Sequence, residues 1–577
     1  MLSQDVGRVW VGFEIKSMVQ GLVGGSRDNT DRILNSEYYI SGSRRNQVDK
    51  NPSPPVRQLF NISEMLQTHA RLRPNHIGAS DSQRQLSYRA WNQRASALAS
   101  GLLEQGLQAG ERVAVLAYNR IEWLELYVAL ARAGLVALPL NFRLVSDELA
   151  YILKDAQVSA LICAQSLQDK VLPITASLPL KACVQMDGTT EAGWTDYEVL
   201  IQQAPVRTDW PRVDPKQTCA LMYTSGTTGK PKGAIRSHEA STLMAYATAL
   251  DMGFTVNDKA LLVMPLCHAN SLYFANTFIH LGACIVVDDR ASFDPEHLLM
   301  LLSKHEITFT SMVPTHYIMM LALPEDVKKQ YATQSVGRLL VSSAPANANL
   351  KRAIQHMFPN GQLYELYGST EAGWVTLLRP DEQLRKLGSV GREWIGSGPI
   401  KLLDAQRQEV PDGEVGELYS CTSYAFEGYW GSPEKTAEAF ADAWCSVGDM
   451  AMRDADGFIW LMDRKSNMII SGGENIYPSE VEAVLCAHPA VQEAAVIGVP
   501  HDKWGETVLA VVVTKAGQDC SADALKQWCK ERLAGFKQPR HIEFISAQDM
   551  PRTATGKIVH RRLRDLLALR LTETATN

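Results

Sequence analysis

From Phe60 onward the apolar positions fall into two alternating patterns, helix-spaced sets and short continuous runs. Residues 61–70 are amphipathic at helical spacing, with Ser63 the expected N-cap, and residues 86–91 lead into a second helix through Leu103. Residues 112–116, 135–140 and 160–164 are short apolar runs of the buried parallel-strand kind, and residues 123–133 are apolar at helical spacing. The rhythm resumes with strands expected at 260–264, 284–287, 309–313 and 338–341. Such βαβ alternation predicts mostly parallel sheets covered by helices, an α/β fold. From about Ile400 the pattern changes to short strands (417–419 and 458–461, with a turn at 455–457), which predicts a β-rich antiparallel subdomain. Beyond Ser466 follow a helix at 479–486, strands at 491–498 and 508–514, a helix at 522–533 and a strand at 541–545. That is a small α+β C-terminal domain, about 110 residues and of ordinary domain size.

A length of 577 residues allows several domains and a large core. The leading 55 or so residues break the pattern: they are rich in Ser, Asn, Asp, Arg and Gly and end in Asn51-Pro-Ser-Pro-Pro55. They lack the basic, apolar and small-residue layout of a signal peptide. The expected organisation is a disordered leader over 1–57, a large domain over 58–465 and a small domain over 466–577. With 46% apolar and 21% charged residues the composition is that of a globular protein. A net charge of −6 offers no basic excess for nucleic acid. Ten scattered cysteines, without a Cys-x-x-Cys pair, read as reduced thiols of a cytoplasmic protein. The absence of an 18-residue apolar run predicts no membrane span.

One stretch changes this picture. Tyr223-Thr-Ser-Gly-Thr-Thr-Gly-Lys-Pro-Lys-Gly233 carries five hydroxylated residues and three glycines, with Lys230 and Lys232 for charge. Backbone N–H groups, hydroxyls and lysines in such a loop suit an oligophosphate. Pro231 follows Lys230 where a P-loop has Ser or Thr, so a P-loop NTPase is not expected. Further along, Tyr364-Glu-Leu-Tyr-Gly-Ser-Thr-Glu-Ala372 sets the carboxylate of Glu371 behind the aromatic Tyr367. An aromatic face can stack a base, and a carboxylate can hold Mg²⁺ beside phosphates. Ser446-Val-Gly-Asp449 offers one acid suited to a ribose diol, Asp463 to Pro478 joins two domains with charge and paired glycines, and Pro551-Arg-Thr-Ala-Thr-Gly-Lys557 is a basic loop.

Together, in this order, these stretches resemble the adenylate-forming superfamily of acyl-CoA synthetases, luciferases and peptide-synthetase adenylation domains. The resemblance covers roughly residues 60–570 and is nearest the acyl-CoA synthetases, through Pro139-Leu-Asn-Phe-Arg-Leu144, residues 428–440 (Gly-Tyr-Trp-Gly onward) and Ser471-Gly-Gly-Glu-Asn-Ile-Tyr-Pro478. It implies an acid-thiol ligase: a carboxylate attacks the α-phosphorus of ATP, giving acyl-AMP and pyrophosphate, and a thiol, usually of coenzyme A, then displaces AMP. It implies that Thr224, Ser225, Gly226, Thr227, Thr228, Gly229 and Lys230 line the phosphates, that Glu371 binds Mg²⁺, and that Thr370 meets the α-phosphate. By the same resemblance Tyr367 and Gly368 cover the adenine opposite Ser343, Ala344 and Pro345, Asp449 and Arg464 hold the ribose, and Lys557 bridges the acyl carboxylate and the phosphate. The small domain is then mobile, turning between half-reactions about Ser466, a position where the family more often has Asp or Lys. Gly472 and Gly473 line the pantetheine tunnel, and His268, Ala269 and Leu366 belong to the acyl pocket.

Leu272 stands where some long-chain synthetases carry a gating Trp, and Glu365 is an ambiguous acid near the pocket. The leading expectation for the substrate is a medium- or long-chain fatty acid. An aryl acid, or transfer of the acyl group to a carrier protein, is the alternative. A homodimer is left open.

Overall fold

The computed structural model describes residues 60–188, 191–224, 231–342, 346–471, 474–501, 504–518, 520–552 and 557–575. The continuous apolar runs become strands of two large sheets. One runs in the order Gly428–Tyr429, Lys232–Ser237, Thr218–Thr224, Val136–Pro139, Arg112–Leu116, Ala160–Ala164, Ala182–Met186, Thr195–Asp196. Its last six strands are parallel and its first two antiparallel. The other runs Arg392–Glu393, Gly373–Leu378, Gln362–Ser369, Arg338–Ser342, Phe309–Met312, Lys259–Leu262, Cys284–Val287, Ile77–Ser80, Gln85–Ser87, with antiparallel pairs only toward its two edges. Strands such as Ala160–Ala164 are buried at every position because helices cover both faces, which is why they read as unbroken apolar runs rather than alternations.

Helix Glu122–Ala133 is buried along its whole length and ends on Gly134 in the left-handed conformation. The first helix, Ile62–Leu72, starts two residues earlier than the expected cap would place it. Asn61, not Ser63, is its N-cap: its side chain accepts from the Ser63 and Glu64 N–H groups while Glu64 returns a bond to the Asn61 N–H. This reciprocal box satisfies three backbone N–H groups, where a single cap is worth about 1 kcal/mol.

The third sheet is antiparallel, with Val415–Ser420, Asp449–Arg453 and Ile459–Arg464 side by side. The fourth belongs to the C-terminal domain and centres on the long hairpin of Val491–His501 and Gly505–Thr514, with His541–Phe544 added in parallel. Two apolar layers form on its faces, one against helices Pro478–Cys486 and Ala522–Lys530 and one against helix His560–Ala575. The arginines 561, 562 and 564 therefore begin a helix rather than a basic tail. All ten cysteines are free, and no described helix is long and apolar enough to cross a membrane.

Candidate active site

The carboxyl end of strand Gln362–Ser369 carries the first group of residues. A register shift at Tyr367/Gly368 lets the chain turn through Thr370 and Glu371 into strand Gly373–Leu378. Gly368 is required there by close approach: a Cβ at this position would lie 2.3 Å from the Gly373 carbonyl oxygen. The Glu371 side chain is only 7% exposed. Its Oε1 accepts hydrogen bonds from Thr224 Oγ1 at 3.1 Å and from the Tyr429 hydroxyl at 3.0 Å. Thr224 and Tyr429 both belong to the eight-stranded sheet, so this carboxylate sits where the two large sheets meet. Lys232 Nζ lies 4.1 Å from the Tyr429 ring centroid, and burial lowers its ammonium pKa despite the neighbouring Glu371.

Behind this turn lies Arg236, almost wholly buried. Its Nη1 reaches the carbonyls of Thr370 and Glu371, each at 3.4 Å, and its guanidinium lies 5.2 Å from the Tyr273 ring. The Tyr273 hydroxyl donates to the same Thr370 carbonyl at 3.1 Å. The segment bearing Thr370 and Glu371 is thus clamped from beneath by two residues on different elements.

Asp449 and Arg464 pair across adjacent strands of the antiparallel subdomain. Asp449 Oδ1 lies 3.1 Å from Arg464 Nε, and Oδ2 accepts from the Tyr367 hydroxyl at 2.6 Å. Burial first and the Asp449 charge second push the Tyr367 phenol far above its usual range, so it stays a donor; the Asp449 charge raises the Arg464 pKa. Tyr367, Asp449 and Arg464, far apart in the chain, form one cluster.

Lys557 comes to this cluster from the C-terminal domain. Its ammonium pKa is pulled below the ordinary lysine range, by desolvation first and by Arg464 second, with Asp449, Asp463 and Glu482 acting in the opposite sense. The side chain keeps contact with solvent, as a residue at the mouth of a cleft does. Asp463 secures the domain that carries it. One carboxylate oxygen accepts from the Ser479 N–H at 3.0 Å, the other from Asn467 Nδ2 at 3.1 Å, and the Ser479 hydroxyl donates to the Met462 carbonyl. Ser466 lies exposed in the turn between Arg464 and strand Ile469–Ser471.

His268 precedes helix Ala269–Leu281 without capping it. Its buried Nε2 has no hydrogen-bond partner among the described residues, and burial lowers the imidazole to about 4, with Arg143 adding to the shift. Beside it Asn270 Nδ2 donates to Ser342 Oγ at 3.1 Å, while Asn270 Oδ1 is buried and unpartnered among the described residues. Leu366 is buried and paired in register with Ser342; Ala269 is half-buried. Glu365 is not an acid of this pocket. It forms a buried ion pair with Lys351 Nζ at 2.5 Å, the lysine being fully enclosed on the inner face of helix Ala348–Met357. Ser225, Gly226, Thr227, Thr228, Gly229, Lys230, Ser343, Ala344, Pro345, Gly472 and Gly473 lie outside the described residues.

Sequence reasoning missed Arg236, Tyr429, Asn270 and the latch at Asp463. A lone arginine inside the apolar run after the glycine-rich loop was the available signal for the first. The others are recognisable only from their partners in space.

Comparison with known proteins bears on this arrangement. The model of the AMP-binding enzyme family matches residues 66–430, and that of the AMP-binding enzyme C-terminal domain matches residues 480–557. A feruloyl-CoA synthase from Amycolatopsis sp is 35% identical over 498 residues, which span 86% of this chain and 96% of that protein. An indoleacetate–CoA ligase from Aromatoleum aromaticum is 32% identical over 515 residues, 88% of this chain and 98% of that protein. Among solved structures, an anthranilate CoA ligase in complex with anthranoyl-AMP superposes with a TM-score of 0.81 at 28% identity, covering 90% of this chain and 99% of its own. With both of its domains matched and near full-length relatives at this identity, the chain belongs to the AMP-binding enzyme family, the adenylate-forming superfamily, in its CoA-ligase branch.

Proposed function

We propose that this protein is an AMP-forming ligase that joins an aryl carboxylic acid to coenzyme A through an acyl-adenylate. The observation that carries the reading is the gathering of Glu371 with its partners Thr224 and Tyr429, the Tyr367–Asp449–Arg464 cluster and Lys557 at one site, from three separate sheets and the C-terminal domain. The first half-reaction must bring one anion to a polyanion, so fixed donors and positive charge aimed at the phosphates are its main requirement. Asp449 accepts from the ribose hydroxyls while Arg464 holds it in place. Tyr367 and Gly368, with Ser343, Ala344 and Pro345, enclose the adenine. Thr224 and the loop through Lys230 receive the β- and γ-phosphates, and Thr370 the α-phosphate. Lys557 spans the acyl carboxylate and the α-phosphate as a compact charge on a flexible stem.

The buried Glu371 carboxylate, with hydroxyls on one oxygen and no imidazole or thiolate among its hydrogen-bond partners in the described residues, fits Mg²⁺, a hard ion that takes few protein oxygens. When bound there it would offset phosphate charge. For the second half-reaction the small domain, residues 466–577, turns about Ser466 so that Gly472 and Gly473 face the pantetheine arm.

The fatty-acid preference expected from the sequence gives way to an aryl acid. Ferulate, indoleacetate and anthranilate, the acids named for the three relatives above, all bear an aromatic ring. In this chain the helix that follows His268 meets an aromatic cluster: Tyr273 and Phe274 lie 5.3 and 5.5 Å from Trp374, whose Nε1 is fixed by Thr248. These rings are packed in the core behind that helix, and the aryl reading rests on the acids named for the relatives.

The test is pyrophosphate release over a panel of aryl and fatty acids, followed by detection of the thioester with CoA or with a carrier protein. We expect turnover with ring acids and a CoA thioester. Turnover confined to fatty acids, or adenylate without CoA thioester, would overturn the corresponding half of the reading. Lys557→Ala should lower pyrophosphate release about 10²–10³-fold, the scale for losing one charged contact in the transition state.

A further inference from the structure

Outside the nucleotide cleft, the nine-stranded sheet carries a second group of ligand-type side chains. Asp288 follows strand Cys284–Val287 at its carboxyl end, the edge where parallel sheets receive ligands. It is 5% exposed, and its Oδ1 has no hydrogen-bond partner among the described residues. Across from it, 3.9 Å away, is His297 Nε2 on helix Pro295–Lys304, an atom likewise buried and unpartnered among those residues. Asp289 completes the group: one ligand atom from each of the three residues lies within 4.8 Å of the others. Ser82 Oγ donates to Asp289 Oδ2 at 2.6 Å and orients that carboxylate. The nearest arginine, Arg290, is turned to Asp294 at 3.2 Å.

A buried carboxylate facing an unpaired imidazole nitrogen is costly unless something sits between them. Two atoms bound to one ion at about 2.0–2.2 Å can stand up to roughly 4.2 Å apart, so the 3.9 Å spacing accommodates an ion. We propose that Asp288, Asp289 and His297 form a divalent cation site, separate from Glu371, that ties the sheet edge to helix Pro295–Lys304. Two carboxylates and one imidazole suit Mn²⁺ or Zn²⁺ and are poor for Mg²⁺, which prefers oxygen ligands and retains its waters. Three protein ligands leave positions for water.

The experiment uses the full chain carrying Glu371→Gln, so that the proposed Mg²⁺ ligand does not contribute. After removal of metal with EDTA, the protein is titrated with Mn²⁺ and free ion is followed by electron paramagnetic resonance. We expect one equivalent to bind, and Asp288→Asn or His297→Ala in the same background to weaken it by more than about tenfold. Asp288→Asn should keep its thermal midpoint in EDTA, since it conserves the shape and removes a charge whose Oδ1 has no partner among the described residues; should it not fold, the His297→Ala titration decides the matter alone. No binding by the Glu371→Gln protein, or binding unchanged in His297→Ala, overturns the site.

Discussion

Lys557 lies beside the Asp449–Arg464 pair, and in the role proposed for it the lowered pKa implies a pH limit on the first half-reaction. Only the protonated ammonium can draw the acyl carboxylate and the phosphate together. Because desolvation and Arg464 lower its pKa, the proton is lost at a pH below that of a free lysine. Pyrophosphate release should therefore decline on the alkaline side as pH rises through this lowered value. A guanidinium does not titrate there, so Lys557→Arg should be slower overall yet lose that alkaline limb. The pH profile of the first half-reaction in both proteins checks this, and an identical limb in each would assign it to another group.

At the scale of elements, the turn from strand Gln362–Ser369 into Gly373–Leu378 is where backbone geometry serves the site. Gly368 has the Gly373 carbonyl against it, and Gly373 itself has φ +74° with Met244 Cε 2.3 Å from where a Cβ would stand. Gly368→Ala must push the two strands apart, moving Thr370 and Glu371 off the contacts made by Arg236, Tyr273, Thr224 and Tyr429. The expected cost is about 1–3 kcal/mol of stability, the usual range for overpacking, with a larger proportional fall in pyrophosphate release than in CoA transfer from preformed adenylate. Equal loss of both steps would mean general damage rather than displacement of Glu371.

This same element shows what the chain disclosed before it was folded. The motif around Tyr367 and Glu371 was legible because each residue type has its own chemistry, whereas the strand Gln362–Ser369 that carries it was not among those expected. Glu365 was not legible: its partner Lys351 is distant in sequence, and only packing under a helix reveals that its charge is already neutralised. Ser63 and Asn61 are both competent caps, and the choice fell to Asn61 because Glu64 stands at its third helical position, a cue present in the sequence. Sheet order and the meeting of Glu371 with Thr224 and Tyr429 needed the whole topology. The acid itself was not legible, because the residue types around His268 do not by themselves distinguish a ring from a chain.

For the molecule as a whole, buried histidines dominate the acid response. His238, His268, His280 and His316 are each lowered by burial to about 4. Between that value and the unfolded value near 6.5 the unfolded chain binds more protons, so stability rises with pH there and is lost on acidification. Asp288, raised to about 6, works in the opposite sense over the lower part of the same window, but it is one group against four. The thermal midpoint of the metal-free protein should drop steadily between pH 6.5 and 4; a flat or rising midpoint across that interval would show that these imidazoles are solvated.

The hydrogen bond from Tyr367 to Asp449 bears on the pace of turnover. Asp449 has a hydroxyl on one oxygen and a guanidinium beside the other. A ribose arriving at Asp449 then exchanges one hydroxyl donor for another, and such an exchange yields only a small net gain. In the ribose role proposed for Asp449, the grip is selective in shape and modest in strength. An enzyme that must discard AMP after every cycle benefits from that balance, because a tighter hold on the sugar would make product departure its slowest event.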